Sequence, residues 1–247
     1  MNDQSQISPE LSIFVPCLNE EANVNSTLRT ILEACAEVGC SYEILVVDDG
    51  STDATSQRVE EFKQEHPKED ITLVRGKSCR GLAHRYRQAA QLARGKYFRL
   101  VCGDNVEPRE TMVAIFSKRG LADVVVPYPE DIEGLGLGRR TLRVFFNSCV
   151  NLASGNKLKY YNGCHLHLRE NVINSEVDTK GFGFQAEILC HLLAKGATFQ
   201  EVPVKFRHNQ DGPSGALKIK NMAAMAASVL RILRGRFGGV RNGHRPR

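Results

Sequence analysis

Tryptophan is absent from this 247-residue chain, and aromatic side chains make up only 7% of it. Long apolar runs are missing as well. The longest weakly apolar stretch, Met222 to Leu230, falls far short of the roughly 20 residues a spanning helix needs. No C-x-x-C pair occurs among the eight cysteines (Cys17, Cys35, Cys40, Cys79, Cys102, Cys149, Cys164 and Cys190), and no histidine stands at zinc-ligand spacing from them. That scatter suits buried free thiols in a reducing compartment better than a disulfide framework. The N-terminus, MNDQSQISPE, lacks the basic and apolar segments of a signal peptide. The expectation is a cytoplasmic protein. Acid is lacking in one region only: from Gly212 to Arg247 there are eight Lys or Arg and no Asp or Glu. The other 211 residues hold 25 basic against 28 acidic side chains, so the formal +5 is a slightly acidic body with a basic tail. Such a tail suits an anionic surface, a solubilising end being the plainer use.

What remains is globular in proportion, 42% hydrophobic and 25% charged. Leu11–Val15, Glu43–Val47, Ile71–Val74 and Tyr97–Val101 read as short buried strands bounded by polar turns. Between them, Glu21–Val38, Asp53–Glu65 and Leu82–Arg94 carry helical patterns. Strand and helix in this rhythm give a mainly parallel α/β sheet flanked by helices. Further strands are expected at Asp123–Pro127, Tyr160–Leu168 and Thr198–Phe206, and helices at Arg139–Leu152 and Gln185–Ala194. We expect one catalytic domain over residues 1–211 and a basic amphipathic helix and tail over 212–247.

Ligands of parallel sheets bind at the carboxyl ends of the strands. Three of those ends are acidic: Asn19-Glu20-Glu21 after the first strand, Asp48-Asp49 after the second and Asp104 after the fourth. One such carboxylate is a helix cap, as Asp53 is expected to be. Three at one edge point to a bound cation or to ribose hydroxyls, and an oxygen-rich site with few ligands suits Mg²⁺ or Mn²⁺.

The segments V-P-C-L-N-E-E, Y-E-I-L-V-V-D-D-G-S-T-D, G-F-G-F-Q-A-E and E-V-P-V-K-F resemble family 2 glycosyltransferases of the GT-A fold, in particular the dolichol- and polyprenyl-phosphate mannose synthases and their bacterial relatives. The likeness runs from about Leu11 to Lys218. It implies that Pro16, Leu18 and Glu20 line the nucleotide pocket and that Asp48 and Asp49 hold base and ribose. It implies a donor that is a GDP- or UDP-sugar. The family's metal-ligating Asp-x-Asp is here Cys102-Gly103-Asp104, leaving Asp104 as the metal ligand. The family's N-x-G-x-G is Cys79-Arg80-Gly81-Leu82-Ala83, with Gly81 kept. We read Arg85 and Arg87 just beyond it as a solvated basic face rather than as phosphate ligands.

On the acceptor side the resemblance places Arg139, Arg140 and Arg143 near an acceptor phosphate. It offers Arg207 and Lys218 in place of the usual basic residues of the closing motif, Gly212-Pro213-Ser214-Gly215. Gln185 and Glu187 stand where a base could act, Glu187 alternatively orienting an arginine. A hydroxyl acceptor needs such a base; a lipid phosphate is already ionised and needs positioning. His165 and His167 share one strand face and are expected to be core or loop histidines.

The expectation is therefore a metal-dependent, inverting transferase acting on a polyprenyl phosphate at a cytosolic membrane face. An anionic membrane surface or a membrane partner subunit would hold the tail. The alternatives are transfer to a saccharide hydroxyl and a non-catalytic donor-binding relative. The acidic body argues against nucleic acid.

Overall fold

The computed structural model describes residues 8–130, 137–175, 177, 181, 183–206 and 219–238. The first half alternates as its periodicity requires: β1 (Leu11–Cys17), α1 (Val24–Val38), β2 (Tyr42–Asp48), α2 (Thr55–Glu65), β3 (Ile71–Arg75), α3 (Leu82–Leu92) and β4 (Tyr97–Leu100). In α1 the residues at helical spacing, Val24, Leu28, Ile31 and Cys35, are all buried. Gly39 closes that helix at φ 63°, donating its N–H to Cys35 O, a conformation a side chain would oppose. The second half adds α4 (Arg109–Phe116), β5 (Val124–Pro129), α5 (Leu137–Ser154), β6 (Leu166–Leu168), α6 (Arg169–Ile173), α7 (Phe184–Ala194), β7 (Phe199–Val204) and α8 (Ile219–Gly238).

The strands form one seven-stranded sheet in the order β3-β2-β1-β4-β6-β5-β7. β6 runs antiparallel to both its neighbours, and the other pairings are parallel. One core lies between the sheet and α3, α5, α7 and α8, and the other between the sheet and α1, α2 and α4. Each fully buried aliphatic or aromatic side chain there stabilises the fold by about 1.5–3 kcal/mol.

Two sequence expectations need correction. The strand expected over Tyr160–Leu168 is only three residues long. Asn147 and Asn151 of α5 capture the preceding segment, through Lys159 O at 2.6 Å and through both backbone groups of Leu158 at 2.9–3.0 Å. A turn from His165 N to Gly163 O then delays entry into the sheet. The short helices α4 and α6 were not anticipated, being brief and weakly patterned. No helix among the described residues is long and apolar enough to cross a membrane.

Candidate active site

Because β2 and β3 lie on one side of β1 and β4 on the other, the strand order reverses at the β1–β4 boundary. Residues following β1, β2 and β4 therefore meet at one edge, where open α/β sheets bind ligands. Pro16 and Cys17 pair in register with Val47 and Asp48. Asp49 N donates to Cys17 O at 2.8 Å. Gly103 closes on the same point: a Cβ there would lie 3.0 Å from Pro16 O, 3.1 Å from Cys17 Sγ and 3.4 Å from Glu20 Cγ. Thr27 Oγ1 of α1 donates to Gly103 O at 2.8 Å and fixes the loop from the other side.

Most strand-end carboxylates have internal partners. Asp48 accepts from Gly50 N, Ser51 N and Ser56 Oγ at 2.5–3.1 Å. Asp49 accepts from Arg80 N (2.9 Å), Gly81 N (2.8 Å), Arg85 Nε (2.6 Å) and Cys79 Sγ (3.3 Å). Burial opposes its charge, but these donors outweigh burial and hold its pKa below the usual value. Asp53 accepts from Thr55 N and Glu21 N, and Glu21 in turn accepts from Ala54 N at 2.9 Å. Both thus brace the start of α2, although the N-cap position itself is Ala54 and Asp53 stands one residue before it rather than as the expected cap. Asn19 holds φ 58° and accepts from Thr52 N at 2.9 Å.

Asp104 differs. Among the described residues its carboxylate takes one hydrogen bond, from Val106 N at 3.4 Å. Burial raises its pKa. Glu20 is raised too, first by burial and then by the charges of Asp104 and Asp53. Two partly buried carboxylates, the charge of one raising the pKa of the other, favour an incoming cation. Among the described residues no three His, Cys, Asp or Glu side chains converge on one point. An ion at Asp104 thus needs most of its ligands from donor phosphates and water, which suits Mg²⁺ or Mn²⁺.

Three arginines have internal partners that their sequence positions did not reveal. Arg85 is 5% exposed, not solvated. Besides Asp49 it donates to Gln88 Oε1 (2.8 Å) and Ser78 O (3.0 Å). Gly76 leaves room for it, since a Cβ there would lie 2.1 Å from Arg85 Nη2. Arg87 donates to Val177 O at 2.7 Å. Arg99, fully buried on β4, had no signal in the sequence. It pairs with Glu107 at 2.7 Å and donates to Cys164 O at 3.1 Å, tying the loop after β4 to the segment that leads into β6.

Pro16 and Glu20 are partly buried at the edge, Leu18 is exposed, and Gly81 holds φ 87° just before α3. Gln185 is buried in the core beside Tyr86 and His167. Glu187 is 6% exposed and held by Arg231 of α8 in a two-pronged ion pair at 2.9 and 3.0 Å, so it orients an arginine rather than standing free as a base. Arg140 is exposed, and only the backbone of Arg139 is described. Arg143 is partly buried beside Tyr160, and its Nη1 is shielded from solvent without a hydrogen-bond partner among the described residues. Arg207 and Lys218 lie outside the described residues. His165 and His167 are fully buried, as core histidines.

A mixed sheet with acidic loops at its strand-order reversal is the GT-A fold shared with the solved structures below. The chain belongs to Glycosyl transferase family 2, whose profile matches residues 12–178. It is 25% identical, over 224 residues, to an undecaprenyl-phosphate 4-deoxy-4-formamido-L-arabinose transferase of Edwardsiella ictaluri, covering 86% of this chain and 65% of that protein. A dolichyl-phosphate beta-glucosyltransferase of Dictyostelium discoideum is 32% identical over 99 residues, 38% of this chain and 30% of that one. The chain thus spans less than two thirds of these relatives' length. In fold it matches a mannosyltransferase from Pyrobaculum calidifontis in complex with GDP-Man and Mn²⁺ (TM-score 0.63, 21% identity, 98% of this chain and 67% of that one). It also matches glucosyl-3-phosphoglycerate synthase from Mycobacterium tuberculosis with Mg²⁺ and UDP (TM-score 0.66, 17% identity, 93% of this chain and 80% of that one).

Proposed function

We propose that the protein moves a sugar from a nucleoside-diphosphate donor to a polyprenyl phosphate, with inversion at the anomeric carbon. The observation that carries the acceptor is Arg143, whose buried Nη1 has no acceptor among the described residues. Such a donor is costly to leave unpaired, and a phosphate oxygen would satisfy it. Glu187 supports the same reading. A hydroxyl acceptor would need that carboxylate as base, and Arg231 already holds it, whereas an ionised phosphate needs none. The relatives named for polyprenyl-phosphate transfer agree with this choice.

The donor binds at the β1–β4 edge, with Pro16, Leu18 and Glu20 along one wall. Asp48 and Asp49 shape the loops that meet base and ribose, and Gly81 exposes backbone at the start of α3. Asp104 would hold Mg²⁺ or Mn²⁺, which supplies charge neutralisation at the departing diphosphate. An acceptor phosphate oxygen attacks the anomeric carbon, the bond to the diphosphate breaks, and the nucleoside diphosphate leaves with the electron pair. Arg143 orients the attacking phosphate by charge-assisted hydrogen bonding.

The test is incubation of the protein with Mn²⁺, GDP- or UDP-sugars and a short-chain polyprenyl phosphate, with glycolipid detected by mass spectrometry and its anomer by NMR. We expect a single inverted product, and Asp104→Asn to lower kcat at least about 100-fold. No glycolipid from any donor, or a fully active Asp104→Asn, overturns the proposal.

A further inference from the structure

Helices α5 and α8 contain no Asp or Glu among their 38 residues. They also concentrate the exposed apolar surface. Of the eleven large hydrophobic residues exposed among those described, five lie on these two helices: Val144, Phe145, Leu152, Leu230 and Leu233. Leu152 is 81% and Phe145 66% exposed. The pattern is not a helix waiting for its core. α5 already buries Phe146, Val150 and Ala153, and α8 buries Ile232 with Met225 and Val229 packed alongside. The exposed rows repeat at helical spacing on the remaining faces, at Thr141, Val144, Phe145, Ser148 and Leu152 and at Ala223, Ala226, Leu230 and Leu233.

The two helices share an end. Arg236 Nη1 donates to Leu152 O at 3.1 Å, and its guanidinium fills the space beside Gly155. Arg140 stands one helical turn from Val144 and Arg234 one turn from Leu230, and Lys157 follows the end of α5. Arg140, Arg234 and Lys157 are exposed and form no ion pair among the described residues. Apolar side chains bordered by long cations, with acid excluded, match an interface of acyl chains beneath anionic headgroups. A second copy fits worse, because matching surfaces would bring the same cations together with no acid between them.

We infer that α5 and α8 together form a docking surface for a bilayer containing anionic phospholipid. This deepens the polyprenyl-phosphate reading by naming where such an acceptor is met. Arg143 lies on α5 itself, so the surface and the proposed phosphate contact share one helix.

The test is co-sedimentation of the full chain with phosphatidylcholine vesicles, with and without phosphatidylglycerol. In parallel, transfer is measured to a short-chain polyprenyl phosphate without vesicles. We expect at least about tenfold tighter binding to the anionic vesicles, weakened by salt. Phe145→Asp with Leu152→Asp should reduce binding at least about tenfold, and Leu230→Asp should reduce it independently, with the thermal midpoint unchanged. Equal binding to both vesicle types, no binding, or wild-type binding by these variants overturns the inference. So does a concentration-dependent dimer that Phe145→Asp abolishes. Transfer to the short-chain acceptor without vesicle binding overturns the docking surface and leaves the function standing. Vesicle binding without transfer does the reverse.

Discussion

Arg143 is partly buried and Arg99 fully buried, and they differ in the ion pair that only Arg99 makes among the described residues. Arg143 has a shielded nitrogen with no acceptor among the described residues, so Arg143→Gln should raise the KM for polyprenyl phosphate at least about tenfold and leave the donor KM unchanged. Initial rates with each substrate varied in turn decide this. Arg99 holds Glu107 and Cys164 O through Nη2 and Nε, while its own Nη1 has no hydrogen-bond partner among the described residues. Arg99→Leu strands a buried carboxylate, and urea denaturation should show a loss of about 3–5 kcal/mol. The double replacement with Glu107→Leu should recover much of that loss. Such residues set the limit of reading the chain alone. Asp48, Asp49 and Asp104 announced themselves by following apolar strands. Arg99 sat inside the run Y-F-R-L-V and looked like an interruption. Its partner stands eight positions on and its second contact 65 positions away, and neither is visible before the sheet is assembled. Arg85 was misread for the same reason: helical spacing shows which residues share a face, but not that Asp49 and a gap at Gly76 receive that face.

At the scale of elements, the four parallel strands and their helices were legible because period-2 and period-3.6 patterns alternate cleanly there. β6 was not, since only three of its expected nine residues pair and α5 side chains hold the rest. α8 is the more instructive element. Its stripe suggested a helix looking for a surface, and the structure shows a helix with two. Its inner face is fitted closely against the start of α7, where a Cβ on Gly183 would lie 2.1 Å from Ser228 Oγ and 2.5 Å from Ser228 Cβ. Gly183 has φ −84°, so the obstacle is contact rather than backbone conformation. Gly183→Ala should therefore destabilise by about 1–3 kcal/mol through overpacking. Ser228→Gly should restore most of it in the double variant, and a thermodynamic cycle measured by chemical denaturation would show that coupling.

For the whole molecule, acid is the informative stress. Burial pushes the pKa of His165 well below its ordinary value and that of His167 down to about 3. Both are neutral in the folded state, while in the unfolded chain each titrates near 6.5. As pH falls below that value the unfolded chain gains protons that the native state refuses. Stability should thus drop by about 1.4 kcal/mol per histidine per pH unit. Denaturation curves at pH 7.5 and 5.5 should differ accordingly, and His167→Phe should lessen the difference; identical curves for the wild type would refute the assignment. The tight packing at Gly103 bears on a different question, that of redesign. Pro16, Cys17 and Glu20 crowd it, at 3.0–3.4 Å from where a Cβ would stand, so the loop proposed to hold the metal is most constrained at its middle position. Directed evolution of ion preference would have to search positions 102 and 104, and a library randomised across all three would lose most of its members at the middle one.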